Sequence, residues 1–134
     1  MLDNSVAMTW CFGDELTPAT RMLLQRTVER GAHAPSLWPI EAANVLIAAQ
    51  RRARIEPSKR RELLGFLAEL PVVIDPGTAS HAWHAASDFA DAFALSVYDA
   101  CYLELAKRLG LPLGTLDHRL ASAARCLDVR ILPD

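Results

Sequence analysis

Two periodicities of apolar residues alternate along the chain. Residues 17–30 carry apolar positions at helical spacing. They open at Thr17-Pro18, with Pro18 as the first helical residue, and close at Gly31. A short stretch around His33 to Pro35 leads into SLWPIEAANVLIAAQRRA, a second helix expected to be capped by Ser36. Pro57, with Ser58 beside it, opens a third helix to about Glu69. PVVID then reads as a buried β-branched strand ended by the turn Asp75-Pro76-Gly77. An alanine-rich helix is expected over roughly 79–93 and another from Val97 to Leu109, ended by Gly110. LPLGTL reads as a strand, residues 118–127 as a helix and VRILP as a last strand. Strands separated by helices imply an α/β fold with a parallel sheet covered on both faces, and ligands in such sheets sit outside the carboxyl ends of the strands.

Composition narrows this picture. At 134 residues and 51% hydrophobic, the chain suits one domain spanning 1–134 with a substantial core. Sixteen acidic against fourteen basic residues give a net charge of −2, so any attraction to a polyanion has to be local. Cys11, Cys101 and Cys126 form no CxxC pair and leave an odd thiol, which suits a reducing cytoplasm. The start MLDNSVAMTWCFGDE has no basic n-region and an acid at its third position, so no secretory leader is expected. No apolar run is long enough for a membrane span.

Four acids stand inside or beside apolar segments: Asp3 in LDNSV, Glu41 in WPIEAAN, Asp99 in SVYDA and Asp117 in TLDHRL. Each has an ordinary alternative. Asp3 reads equally as an N-cap for a short helix over residues 5–11, Asp99 as the partner of Ser96 in a capping box, and Asp117 as a cap for the helix after LPLGTL. Glu41 is harder to dismiss, because helical spacing puts it on one stripe with Leu37, Asn44 and Ala48, and a carboxylate in such apolar surroundings is costly unless something binds it. Asp75 follows a strand too, yet its Asp-Pro-Gly setting is an ordinary turn.

Taken in order, DNSV, the PIEAAN helix, LSVYDACYLELA and PLGTLDHRL resemble the PIN-domain ribonucleases, specifically the VapC toxins of type II toxin–antitoxin pairs. The resemblance spans nearly the whole chain. It implies a three-layer α/β/α sandwich around a parallel sheet of four to five strands. Asp3, Glu41, Asp99 and Asp117 would form its acidic metal site, with Ser5, Thr115 and Asn44 as supporting polar groups. The plain readings of these three are a helix cap, a strand hydroxyl and a helix-face amide. Family resemblance also implies a cognate VapB-like antitoxin, received around the helices at 17–30, 36–53 and 58–69, and a homodimer. One departure is visible: only Met1 and Leu2 precede Asp3, so either the strand carrying this acid is short or the true start lies upstream.

The chemistry explains such a gathering of acids. Two carboxylates about 5 Å apart repel by roughly 3 kcal/mol at an effective dielectric near 20. Mg²⁺ or Mn²⁺ removes that penalty, and hard oxygen donors select these ions over zinc. The expected reaction is hydrolysis of an RNA phosphodiester by metal-activated water. Arg51, Arg52, Arg54, Lys59, Arg60 and Arg61 place six bases within eleven residues, either a solvated helical hairpin or a clamp for RNA phosphates. Trp10, Trp38 and Trp83 are expected to pack in the core or an interface. His81 and His84 lack partners at zinc-ligand spacing. Two other classes remain open: a PIN-like module that binds RNA or protein without cleaving, and a haloacid-dehalogenase-like phosphotransfer enzyme. The latter is disfavoured because Asp3-Asn4-Ser5 lacks a second aspartate.

Overall fold

The structure, a computed structural model, describes residues 1–134. Its elements run α1 (Asn4–Cys11), a 3₁₀ turn (Gly13–Glu15), α2 (Pro18–Arg30), β1 (Ala32–Pro35), α3 (Trp38–Arg51), α4 (Pro57–Glu69) and β2 (Val72–Asp75). Then follow α5 (Thr78–Ala82), α6 (Ala85–Phe93), α7 (Val97–Leu109), β3 (Leu113–Gly114), α8 (His118–Cys126) and β4 (Ile131–Leu132). The architecture is the three-layer α/β arrangement expected of the sequence.

Two parallel strand pairs, β1 with β2 and β3 with β4, are joined by the first three residues. Leu2 N–H donates to the His33 carbonyl at 2.9 Å on one side. On the other, Asp3 N–H donates to the Gly114 carbonyl at 3.0 Å and Gly114 N–H returns a bond to Met1 at 2.8 Å. The resulting order is β2, β1, Met1–Asp3, β3, β4. The abbreviated strand is therefore short but paired on both edges, and this fixes the backbone of Asp3.

Helix boundaries follow local chemistry. Thr17 and Thr20 form a reciprocal capping box at the start of α2, and Pro18 occupies the first turn. Gly31, at φ +74°, closes the helix where a Cβ would meet the Pro71 carbonyl oxygen at 3.1 Å. Ala100 through Ala106 are all buried, so α7 is apolar nearly all round except for Glu104. It packs against β1 and β3 and carries α5, α6 and α8. A core of 21 residues, including Val6, Leu46, Tyr102, Leu103 and Leu120, joins these layers.

The unassigned stretch at 32–35 is a strand in its own right, and three expectations need correction. Ser36 does not cap α3: the cap position is Leu37, and the Ser36 N–H donates instead to Thr78 Oγ1 at 2.8 Å. The alanine-rich segment is two helices, broken at Trp83-His84, where His84 adopts φ −130°, ψ −108° and interrupts the hydrogen-bond ladder. β2 is an edge strand rather than a buried one, with Val73 57% exposed. The break also places Trp83 outside the core, at 83% exposure, whereas Trp38 is buried as expected.

Candidate active site

The four acids sit at the amino-terminal ends of four helices. Asp3 is at the cap position of α1, Glu41 and Asp99 lie in the first turns of α3 and α7, and Asp117 caps α8. Helix amino termini carry partial positive charge, which lessens the cost of an anion there. The carboxylates repel one another: Asp3 feels Asp117, Glu41 feels Asp3 and Asp99, and Asp99 feels Asp3 and Asp117. The fold thus brings all four into one electrostatic group.

Asp3 is the most deeply set, at 6% exposure. Its side chain makes no helix cap. Instead Oδ2 accepts hydrogen bonds from Ser5 Oγ at 2.6 Å and from Thr115 Oγ1 at 2.7 Å. Each hydroxyl has one proton and directs it to the same oxygen. Their lone pairs in turn accept the backbone N–H groups of Leu116 and Asp117, both at 3.0 Å. Ser5 and Thr115 therefore act as fixed donors, and Asp3 Oδ1 has no side-chain partner. Burial nonetheless raises the Asp3 carboxyl above its ordinary value, with the two hydroxyls opposing the shift and Asp117 adding to it.

Glu41 accepts a 2.6 Å hydrogen bond from the hydroxyl of Tyr102, a residue with no exposed surface. Burial again lifts the carboxyl, the tyrosine opposes this, and Asp3 and Asp99 reinforce it. The same contact pushes the Tyr102 phenol upward, after desolvation as the larger cause. Tyr102 escaped the sequence reading, although the signal was present: it lies three residues after Asp99 and so shares its helical face.

Asp99 and Asp117 keep parts of their ordinary readings. Ser96 Oγ accepts the Asp99 N–H at 3.1 Å, half a capping box, while the Asp99 carboxylate makes no return bond and is raised by burial, Asp3 and Asp117. Asp117 Oδ1 caps α8 by accepting the Leu120 N–H at 2.9 Å, which leaves Oδ2 free of hydrogen bonds. Asn44 is exposed and bonds to none of the acids. Asp75 differs from the four as its turn setting suggested. It accepts two bonds from Arg108, at 2.7 and 3.4 Å, which hold its carboxyl below the usual range.

Carboxylate and hydroxyl oxygens are a hard donor set that fits Mg²⁺ or Mn²⁺. No three acidic, histidine or cysteine side chains meet closely enough to cage an ion by themselves. Of the six bases proposed as a phosphate clamp, three have intramolecular partners. Arg54 pairs with Asp14 and Glu15 and stacks over Phe12, Lys59 pairs with Glu62, and Arg60 donates to Gln50. Arg51, Arg52 and Arg61 are exposed and unpaired. At 1.5 Å per residue, Arg51 lies about 15 Å along α3 from Glu41.

No curated protein matches the chain. Among solved structures, the crystal structure of PAE2754 from Pyrobaculum aerophilum is similar in fold. Its TM-score is 0.70 at 19% identity, over 98% of this chain and 87% of that one. The sequence model of the PIN domain, a family whose members are typically metal-dependent nucleases, matches residues 1–125. With four acids gathered at helix starts beside a parallel sheet, and a family match across most of its length, the chain belongs to the PIN-domain family.

Proposed function

We propose that this protein is the toxin of a type II toxin–antitoxin pair, an endoribonuclease that hydrolyses RNA phosphodiester bonds with Mg²⁺ or Mn²⁺. The observation that carries this reading is Asp3, a buried carboxylate with one oxygen fixed by two hydroxyls and three further acids in electrostatic reach. Asp3, Asp99 and Asp117, with Glu41, would hold the ion. When bound, it would supply Lewis-acid polarisation of the phosphate and activation of water. The chain's own part is orientation. Ser5 and Thr115 fix Asp3, Tyr102 fixes Glu41, and the Asp117 cap ties its carboxylate to the start of α8. Either Glu41 or Asp117 would orient the attacking water. Arg51, Arg52 and Arg61, with Arg54, Lys59 and Arg60 behind them, would steer the RNA backbone, and Asn44 would line the approach.

The proposed partners are a VapB-like antitoxin and a second copy of the chain. A groove of about 440 Å³ between α3, α4 and β2, lined by Trp38, Leu64, Leu67 and Ile74, supports the first. Co-purification with the product of an adjacent small gene and sedimentation of the isolated chain test these two assignments. No helix is long and apolar enough to cross a membrane, and the free cysteines support action in the cytoplasm.

Cleavage of RNA in Mg²⁺ or Mn²⁺, abolished by EDTA and in Asp99→Asn, is the deciding measurement. Equal cleavage by the Asp99→Asn protein would sink the proposal. A second reading is an RNA- or protein-binding module that does not cleave. RNA binding that persists in both proteins, with no cleavage by either, would select it.

A further inference from the structure

At the amino-terminal edge of the sheet lies a hollow of about 310 Å³ that none of the four acids lines. Arg26 and Arg30 of α2, one helical turn apart, border it together with His33 of β1, and Leu23, Leu111 and Leu132 contribute apolar walls. No aspartate or glutamate lines it, in a protein whose acids outnumber its bases. Neither guanidinium has a hydrogen-bond or ion-pair partner among the side chains or backbone carbonyls of the fold, unlike Arg54, Arg60, Arg108 and Arg130.

Neither Glu29 nor Asp134 forms an ion pair with Arg26 or Arg30. Both arginines also border an adjoining hollow that contains Glu29 and Asp134. Glu29 accepts from Gln25 at 2.9 Å, and Asp134 pairs with Arg130 at 3.4 Å. The local field is positive enough to act on a neighbour: the Met1 ammonium, already desolvated, is pushed down to about 6 with Arg26 contributing.

From this geometry we infer a second binding site, independent of the acidic cluster, that takes a phosphomonoester of nucleotide size. The phosphate would sit between Arg26 and Arg30, and the base would lie against Leu23, Leu111 and Leu132. Two guanidiniums one turn apart match the oxygens of a dianionic phosphate in a way that a single lysine would not. A cavity of this size, apolar with a few convergent charged groups, has the make-up of a small-ligand pocket. Gly31, at positive φ, and the close backbone around it turn the chain from α2 into β1, so both arginines and His33 are presented from rigid elements.

The test is calorimetric titration of the full chain with adenosine 5′-monophosphate in EDTA, so that no metal at the acidic cluster can recruit the nucleotide. Saturable binding is expected, unchanged in Asp99→Asn. It should weaken at least about tenfold in Arg26→Gln and in Arg30→Gln, the loss of one charge-assisted contact. Both arginines are exposed, so these variants should fold, which circular dichroism checks. Inorganic phosphate should bind at least about tenfold more weakly than the nucleotide, since it cannot use the apolar walls. Absence of binding at millimolar nucleotide would overturn the inference. So would equal affinity for inorganic phosphate, binding that survives the double arginine variant, or binding that is lost in Asp99→Asn.

Discussion

Among single residues, Tyr102 has the clearest separable role. Removing its hydroxyl in Tyr102→Phe leaves Glu41 in the same half-buried setting without its donor, so its carboxyl should rise further. The pH–rate profile of RNA cleavage should move to higher pH, with stability reduced by about 1 kcal/mol; an unshifted profile would detach Tyr102 from the reaction. The raised carboxyls also set a stability prediction. Asp3, Glu41 and Asp99 bind protons more tightly folded than unfolded, so their contribution weakens as pH climbs from the ordinary values of 3.8 and 4.5 through the raised ones. Asp75 has the opposite sign. Its stabilisation is lost only as pH falls from 3.8 through its depressed value. Metal-free protein should therefore lose stability as pH rises above these ordinary values, Mg²⁺ should remove that loss, and Asp99→Asn should be stabilised in the absence of metal. Thermal scans over a pH series with and without EDTA check this, and an Asp99→Asn protein that melts no higher than the parent without metal would contradict it. The four acids were legible because each breaks an apolar segment. Tyr102 was not, since a buried tyrosine resembles any core aromatic until its hydroxyl partner is known.

At the level of elements, α7 and the end of β2 are clamped by Arg108, which bonds Asp75 on one side and the buried Glu104 on the other at 2.7 Å. His81 stands 3.7 Å from the same glutamate and anchors its own turn through a 2.8 Å contact with the Gly77 carbonyl. Arg108→Met strands a buried carboxylate and should cost roughly 3 kcal/mol in urea unfolding. The double variant Arg108→Met with Glu104→Met should recover most of that; if it is as unstable as the single one, the ion pair is not the cause. Elements whose boundaries rest on local chemistry were readable, such as α2 between Thr17-Pro18 and Gly31 or α7 ended by Gly110. Those set by tertiary contacts were not. Ser36 has the composition of a cap, but its backbone is drawn to Thr78 on another element, and nothing local in an alanine-rich run announces the break at His84.

Taken whole, the molecule carries a small negative charge and several of its bases are paired with acids, so any affinity for RNA should depend on few phosphate contacts. Replacing Arg51, Arg52 and Arg61 by glutamine should lower the slope of log affinity against log salt by about 2, from three lost contacts at about 0.7 each on a single strand. An unaltered slope would leave the hairpin as a solvated surface. The overall architecture was legible from alternation alone, yet the sheet order was not, because a strand of three residues has no period to detect. That segment has a consequence for how the protein is made. Met1–Asp3 are translated long before their partner Gly114. The hydroxyl of Thr115, which locks Asp3, is translated later still. Until those residues emerge, the acidic centre has no complete framework. If the chain is the nuclease proposed above, the order of its own translation holds back activity until Thr115 has emerged.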